Sequence, residues 1–494
     1  MIRRILTGLV GLVLVCAVPA AATGATKTSH RPRTPIKHFI VLMQENHTYD
    51  NYFGTYPRGD RIPSGVCMPK SLARRSAGCV KPFALRGRPV QDLGHNRGIF
   101  LGQLNGGRMN GFVSVFRSQG LNGDLSMGHY DGTDIPFYWN IADEFVLFDR
   151  FFTSAGGGSV WNHMYWVSGT PGNPKEDQIP KGGFGDLPLI FDRLEQAGVS
   201  WKFYVQNYDP RITFRSRQAS DRGSQIVWVP PLDFARYVDN PKFFSHIVDM
   251  NEYYRDVALG TLPEVSYMAP SGSSEHPPGS IQAGERFVRT IMNALIQSRY
   301  WNDSAFTWSY DDWGGWYDHV RPPKVDKFGY GFRAPALLVS AYARRGYIDH
   351  TTLDFTSWLK FIEENWNLEP LATRDARAKS IMGAFDFSQT PRSPAIVAAL
   401  RGVKPPATPK RSIVYPSYVL AFLLTAILIV VAARRSGRGE PPEQPPPSDP
   451  SGPSEPPRRR EPLPRVELQP TPAHEGPARA GPLPLPKLPP RRRG

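Results

Sequence analysis

Apolar residues in this chain come in short runs separated by polar and glycine-rich stretches. Ile36–Met43 (IKHFIVLM), Ala305–Tyr310 and Ala336–Ser340 are each a few residues long and rich in aliphatic and aromatic side chains, which predicts buried strands. Between them, Leu187–Ala197, Ala283–Gln297 and Ser357–Asn365 read as helices, as does Val160–Ser168 behind a run of glycines. Strands alternating with helices predict an α/β domain with a largely parallel sheet. No repeat or long linker interrupts residues 36–390.

Two further apolar segments flank this domain. Arg3-Arg4, the apolar run Ile5–Val18 and the small residues Ala20-Ala21-Ala22 read as a signal peptide over 1–25, with an uncleaved anchor as the alternative. Ile413–Ala433 is long enough, at about 1.5 Å per residue, to cross a hydrocarbon core of about 30 Å. Tyr415 and Tyr418 stand near one edge, and Arg434, Arg435 and Arg438 follow the other. Positive charge stays on the cytoplasmic side. The expectation is a single-pass cell-membrane protein: an extracytoplasmic domain over 26–410, a transmembrane helix over 413–433, and a Pro/Arg-rich cytoplasmic tail over 434–494. The tail cannot offset its ordering entropy and is expected to be disordered. Its segment PLPLPKLPPRRR (482–493) reads as solvated tail or as a polyproline ligand whose partner the sequence does not name.

The 494 residues allow one large domain or two average ones, and 12% aromatic content supplies a substantial core. A formal charge of +15 raises the question of nucleic acid. Much of it comes from the ends of the chain, and no nucleic-acid-binding signature accompanies it, so that class is set aside. Cys67 and Cys79 are close in sequence, and in an exported protein they are expected to close a short disulfide loop.

Candidate chemistry gathers where predicted strands end. The first ends in Gln44-Glu45-Asn46-His47 and another in Asp311-Asp312, followed by Gly314-Gly315. Open α/β sheets bind ligands at the carboxyl ends of their strands, so the two clusters are expected to converge. Three carboxylates and one amide oxygen suit a hard or borderline divalent ion. Each acid taken singly reads equally as a turn cap, and that alternative stays open. Gly156-Gly157-Gly158-Ser159 opens a helix whose free N–H groups could hold a phosphate. Residue types alone read Ser159 more simply as an N-cap. His276 and His95, in loops, can transfer a proton or ligate metal, or be merely exposed; His319, close behind the Asp-Asp pair, carries the same ambiguity.

Taken together, these segments resemble the phosphoesterase family that contains nonspecific phospholipases C and certain bacterial acid phosphatases. Glu45-Asn46-His47-Thr48-Tyr49-Asp50 with Phe53-Gly54 is similar to the family's ENRSFD…FG opening. Ser159-Val160-Trp161-Asn162-His163 is similar to its T/S-x-x-N-R nucleophile motif, and Glu275-His276-Pro277 with Gly284-Glu285 to its EHP…GE stretch. Tyr310-Asp311-Asp312 through Asp318-His319-Val320 resembles YDExGGxYDHV; Gly331-Phe332-Arg333-Ala334-Pro335 resembles GFRVP, and Ala384–Phe387 the closing AFDF. The resemblance implies an alkaline-phosphatase-like three-layer α/β sandwich. It implies a divalent metal on Glu45, Asn46, Asp311 and Asp312, with Ser159 as nucleophile. His276 and His95 would be catalytic beside Ser159, with His276 protonating the leaving alcohol, and Asn162 and the signature-motif His319 would bind substrate. His47 and His163 stand where the family carries arginines, and Asp312 where Glu is common. These departures bear on the substrate more than on the reaction. The implied activity is metal-dependent phosphoester hydrolysis through a phosphoserine. The substrate would be a phospholipid or a soluble phosphomonoester, and a non-catalytic binding protein of the same fold is the rival of another class.

Overall fold

The computed structural model describes residues 31–401, apart from 88 and 217–223, together with 423–425, 427–428 and 431. Met1–Pro406 form one compact unit and Ala407–Gly494 a second.

The first unit is built on an eight-stranded sheet: β1 (His38–Gln44), β2 (Val146–Phe148), β3 (Trp201–Val205), β4 (Ile247–Asp249), β5 (Val265–Ala269), β6 (Ser304–Tyr310), β7 (Ala336–Ser340) and β8 (Tyr347–Asp349). Their spatial order is β8-β2-β7-β6-β1-β5-β3-β4. Only β7 runs against its neighbours; every other pairing is parallel. The predicted strands fall within two residues of those observed. The short strands β2, β4 and β8 carry too few apolar residues to stand out from their surroundings in sequence.

The helices used below are α1 (Tyr49–Phe53), α2 (Pro136–Glu144), α3 (Ser159–Ser168), α4 (Ile190–Ala197), α5 (Ile281–Ile296) and α6 (Phe355–Trp366). Successive strand residues face opposite sides of a sheet. On one side, Phe39 of β1 meets Phe361 of α6 at 4.7 Å between ring centroids. On the other, Trp308 of β6 meets Tyr138 of α2 at 5.6 Å. Trp308 pairs with Leu42, so it lies on the face opposite Phe39. Helices α3 and α6 pack together, as do α2 and α5. The result is helix–sheet–helix, three layers, with β1 and β6 buried on both faces as their unbroken apolar runs require.

Cys67 and Cys79 form a disulfide. The expected signal peptide over 1–25 and tail over 434–494 lie outside the described residues. Among the described residues no helix is long and apolar enough to cross a membrane. The spanning helix expected over 413–433 is therefore not seen: six positions there are helical and the remainder lies outside the described residues.

Candidate active site

Strands β1 and β6 are adjacent, parallel and in register, with Gln44 opposite Tyr310. The next residues of each strand, Glu45-Asn46 and Asp311-Asp312, therefore leave the sheet side by side. The Asp311 N–H continues the ladder to the Gln44 carbonyl at 3.0 Å, and the Asn46 N–H donates to Asp311 Oδ1 at 3.2 Å. Asn46 takes a left-handed backbone, φ 65°. Gly314 closes over it: a Cβ there would lie 2.3 Å from the Asn46 carbonyl oxygen. Gly314 is thus a packing requirement of the acidic cluster.

All four side chains are buried. Among the described residues no lysine or arginine pairs with Glu45, Asp311 or Asp312; the basic groups that face them are His163, His95 and His276. Burial first, and the Asp311 carboxylate next, push Glu45 and Asp312 well above the usual carboxylate range. Asn46 Oδ1 and Asp311 Oδ2 are buried without a hydrogen-bond partner. Orphaned oxygens amid uncompensated carboxylates fit a divalent cation. Glu45, Asp311 and His163 offer ligand atoms within 4.8 Å of one another.

The glycine-rich loop that carries Ser159 sits against this cluster. Ser159 opens α3, and its hydroxyl donates to Asp312 Oδ2 at 3.3 Å. One turn on, His163 points Nε2 at Glu45 Oε1, 3.3 Å away, with Asp311 Oδ2 at 3.7 Å. Burial pushes its imidazole down to about 4, so the ring is neutral at pH 7. In the sequence His163 stands out only as a departure from the family motif. Its spacing of four from Ser159 is the signal that puts both on one helix face.

Asn162, which the resemblance places at the phosphate, is engaged with the glycine loop. The Ala155 N–H donates to its Oδ1 at 2.9 Å, and its Nδ2 faces the carbonyls of Ala155, Gly157 and Gly158 at 3.3, 3.4 and 3.1 Å. It is fully buried and clamps the glycine loop. The helix N-terminus is also less free than expected. Asp177 accepts from the Gly158 N–H through Oδ2 and from the Trp161 N–H, at 2.8 Å, through Oδ1. Nothing in the sequence around Asp177 marks it.

A cavity of about 380 Å³ brings together Glu45, His95, Ser159, Asp177 and His276, with Val227 and Trp228 among the apolar lining. His276 Nδ1–H donates to the Pro277 carbonyl at 2.7 Å, leaving Nε2 free. Burial pulls its pKa down, but the carboxylates of Glu45, Asp92 and Asp311 and the Pro277 carbonyl outweigh that and raise it. His95 Nδ1–H donates to Leu93 at 2.8 Å, which turns Nε2 towards Asn46 and Asp312. The loop carrying His276 is anchored by Glu275, whose buried carboxylate accepts from the hydroxyls of Tyr52, Tyr138 (2.5 Å) and Tyr310 (2.9 Å) and from Gln44 Nε2 (3.2 Å). Gly284 leaves the space Glu275 fills, since a Cβ there would lie 2.1 Å from Glu275 Cγ.

His319 is not brought into this cavity. Its Nδ1 meets Asp50 Oδ2 at 2.8 Å and its Nε2 meets Asp60 Oδ1 at 3.2 Å, in a network centred on the fully buried Arg333.

The phosphoesterase family model matches residues 36–369. Phospholipase C A of Mycobacterium tuberculosis is 30% identical over 429 residues, covering 73% of this chain and 79% of that protein. Non-specific phospholipase C1 of Arabidopsis thaliana is 26% identical over 447 residues, covering 79% of this chain and 78% of that protein. Among solved structures, a protein in the alkaline phosphatase superfamily from Vibrio parahaemolyticus overlaps 70% of this chain and 71% of its own at 13% identity, with a TM-score of 0.32, too loose a fit to bear on any residue of the site. The chain belongs to the phosphoesterase family and is a hydrolase acting on ester bonds.

Proposed function

We propose that this protein cleaves phospholipids in the manner of a phospholipase C, through a phosphoserine at Ser159 and with a divalent metal held by Glu45, Asn46, Asp311 and Asp312. The observation that carries the reading is the Ser159 hydroxyl at 3.3 Å from Asp312 Oδ2, in a cavity shared with His95 and His276 and backed by carboxylates with which, among the described residues, no lysine or arginine pairs. The names of the relatives supply the phospholipid class.

The metal would lower the pKa of the serine hydroxyl and offset charge on the phosphoryl oxygens. Ser159 Oγ attacks phosphorus in line with the departing glycerol oxygen, and its proton passes to Asp312 Oδ2. His276, protonated, gives the proton from Nε2 to the leaving oxygen, releasing diacylglycerol. A water then attacks the phosphoserine, losing its proton to neutral His276, while Asp312 returns a proton to Ser159 Oγ. The product is a phosphorylated headgroup, and both side chains end as they began. Glu275, Asn162 and the glycine loop position these groups.

The test is turnover of phosphatidylcholine and of a nitrophenyl phosphate monoester by the wild type and by Ser159→Ala, with acid quenching to trap label on Ser159. Diester cleavage lost in Ser159→Ala supports the reading. Turnover of the monoester alone makes the protein an acid phosphatase. Wild-type-like rates in Ser159→Ala refute the nucleophile.

A further inference from the structure

Negative charge crowds the cavity around Ser159 Oγ. Glu45 and Asp177 line it, Asp312 accepts from the serine itself, and Asp311 stands beside Glu45. Among the described lining residues there is no lysine or arginine. A divalent ion offsets two of four carboxylates and a protonated His276 a third, and Asp177 lies outside the set of residues that would hold the ion.

Asp177 is fixed where it stands. Its two oxygens take the N–H groups of Gly158 and Trp161, which flank Ser159 on either side in sequence. Ideal Cβ atoms on Gly157 and Gly158 would lie 3.1 and 3.0 Å from Asp177 Oδ2, so the carboxylate is seated flush on the nucleophile loop. It cannot turn from the cavity without abandoning both donors. It also occupies the helix-terminal N–H groups that would otherwise attract an anion.

We infer that Asp177 is a specificity-determining residue that filters substrates by charge, admitting phosphodiester monoanions and disfavouring phosphomonoester dianions. This rests on the phosphoester reading above and names its substrate class. A diester phosphate carries one negative charge, whereas a monoester carries between about 1.5 and 2 at pH 7. The additional charge falls beside a fixed carboxylate in a partly desolvated pocket, where like charges repel strongly.

The test uses the metal-loaded full chain and two small probes, orthophosphate and dimethyl phosphate, titrated calorimetrically at pH 8. Asp177→Asn and Asp177→Ser both remove the charge while keeping an oxygen that can accept at a helix start. The expected result is orthophosphate affinity rising about tenfold relative to dimethyl phosphate in both variants. Dimethyl phosphate is the control, because a disordered loop would weaken both probes together. An unchanged ratio, or parallel loss of both affinities, overturns the inference. Should neither variant fold, the wild type decides: dimethyl phosphate must bind more tightly than orthophosphate, and the opposite order overturns the inference. The phospholipase reading fails on turnover of phosphatidylcholine, and this inference on relative binding, so the two failures are distinguishable.

Discussion

Replacing Asn162 by alanine separates a loop clamp from a phosphate ligand. In the structure the Ala155 N–H, in a fully buried residue, has Asn162 Oδ1 as its acceptor at 2.9 Å. Removing the amide strands that donor, which costs about 1–3 kcal/mol. The Nδ2 group faces three carbonyls at 3.1–3.4 Å, long contacts that together are worth about one ordinary hydrogen bond, roughly 1 kcal/mol. The expected loss is therefore about 2–4 kcal/mol, a large fraction of the 5–15 kcal/mol typical of a folded domain. Denaturant unfolding reads it as a lower midpoint at unchanged slope. Turnover per folded molecule should fall as well, because the loop that sets Ser159 against Asp312 loses its internal brace. Stability within about 0.5 kcal/mol of wild type, together with a raised KM, would refute this reasoning and return Asn162 to the phosphate.

Glu45→Gln and Asp311→Asn keep side-chain shape and remove one ligand charge each. Both should lower metal stoichiometry by elemental analysis and activity in parallel, with partial recovery in excess metal, and full activity without bound metal would sink the site. In Glu285→Gln the effect is on the pH dependence of stability. The Glu285 carboxylate accepts from the Phe137 and Tyr138 N–H groups at the start of α2, and burial pushes its pKa up to about 7. Because the folded pKa lies above the unfolded one, the folded state holds the proton more tightly, and stability falls as pH rises from about 4.5 to 7. The glutamine variant should lack about 1–3 kcal/mol of that fall, measured by denaturation at pH 5 and pH 8, and identical wild-type and variant slopes would contradict it.

The centre of the sheet was legible because β1 and β6 are buried on both faces, so their apolar runs end abruptly where polar residues begin. That boundary marked Glu45 and Asp311, and parallel pairing in register then brings them together. The roles of other residues were hidden by geometry that leaves no periodic trace. Asn162 and His163 follow Ser159 on one short helix, yet one turns into the glycine loop and the other towards the carboxylates. Asp177 arrives from a loop with no pattern of its own, and only the closure of that loop over α3 puts it beside Ser159. His319 sits in a motif with strong family character, and its ring meets Arg333 and Asp50.

Two buried acidic clusters among the described residues differ in where their counter-charge can come from. Asp50, Asp318 and His319 come together as compactly as Glu45, Asp311 and His163 do. In the first, Arg333 Nε donates to Asp318 at 2.9 Å, its terminal nitrogens reach Asp50 at 3.0 Å, Asp60 at 3.3 Å and the Asp149 carbonyl at 2.9 Å, and the guanidinium lies over the Tyr49 ring. The chain supplies its own counter-charge, in a planar fork that satisfies several acceptors at once. In the second, among the described residues, no guanidinium or ammonium group pairs with Glu45 or Asp311, and Asp311 Oδ2 has no hydrogen-bond partner. Leaving buried carboxylates uncompensated costs several kcal/mol per charge, so either they take up protons or a cation enters. Proximity of ligands does not distinguish the clusters; the source of positive charge does. A residue such as Arg333 makes a permanent internal salt bridge, whereas among the described residues beside Ser159 no such group stands, and a cation could take that place.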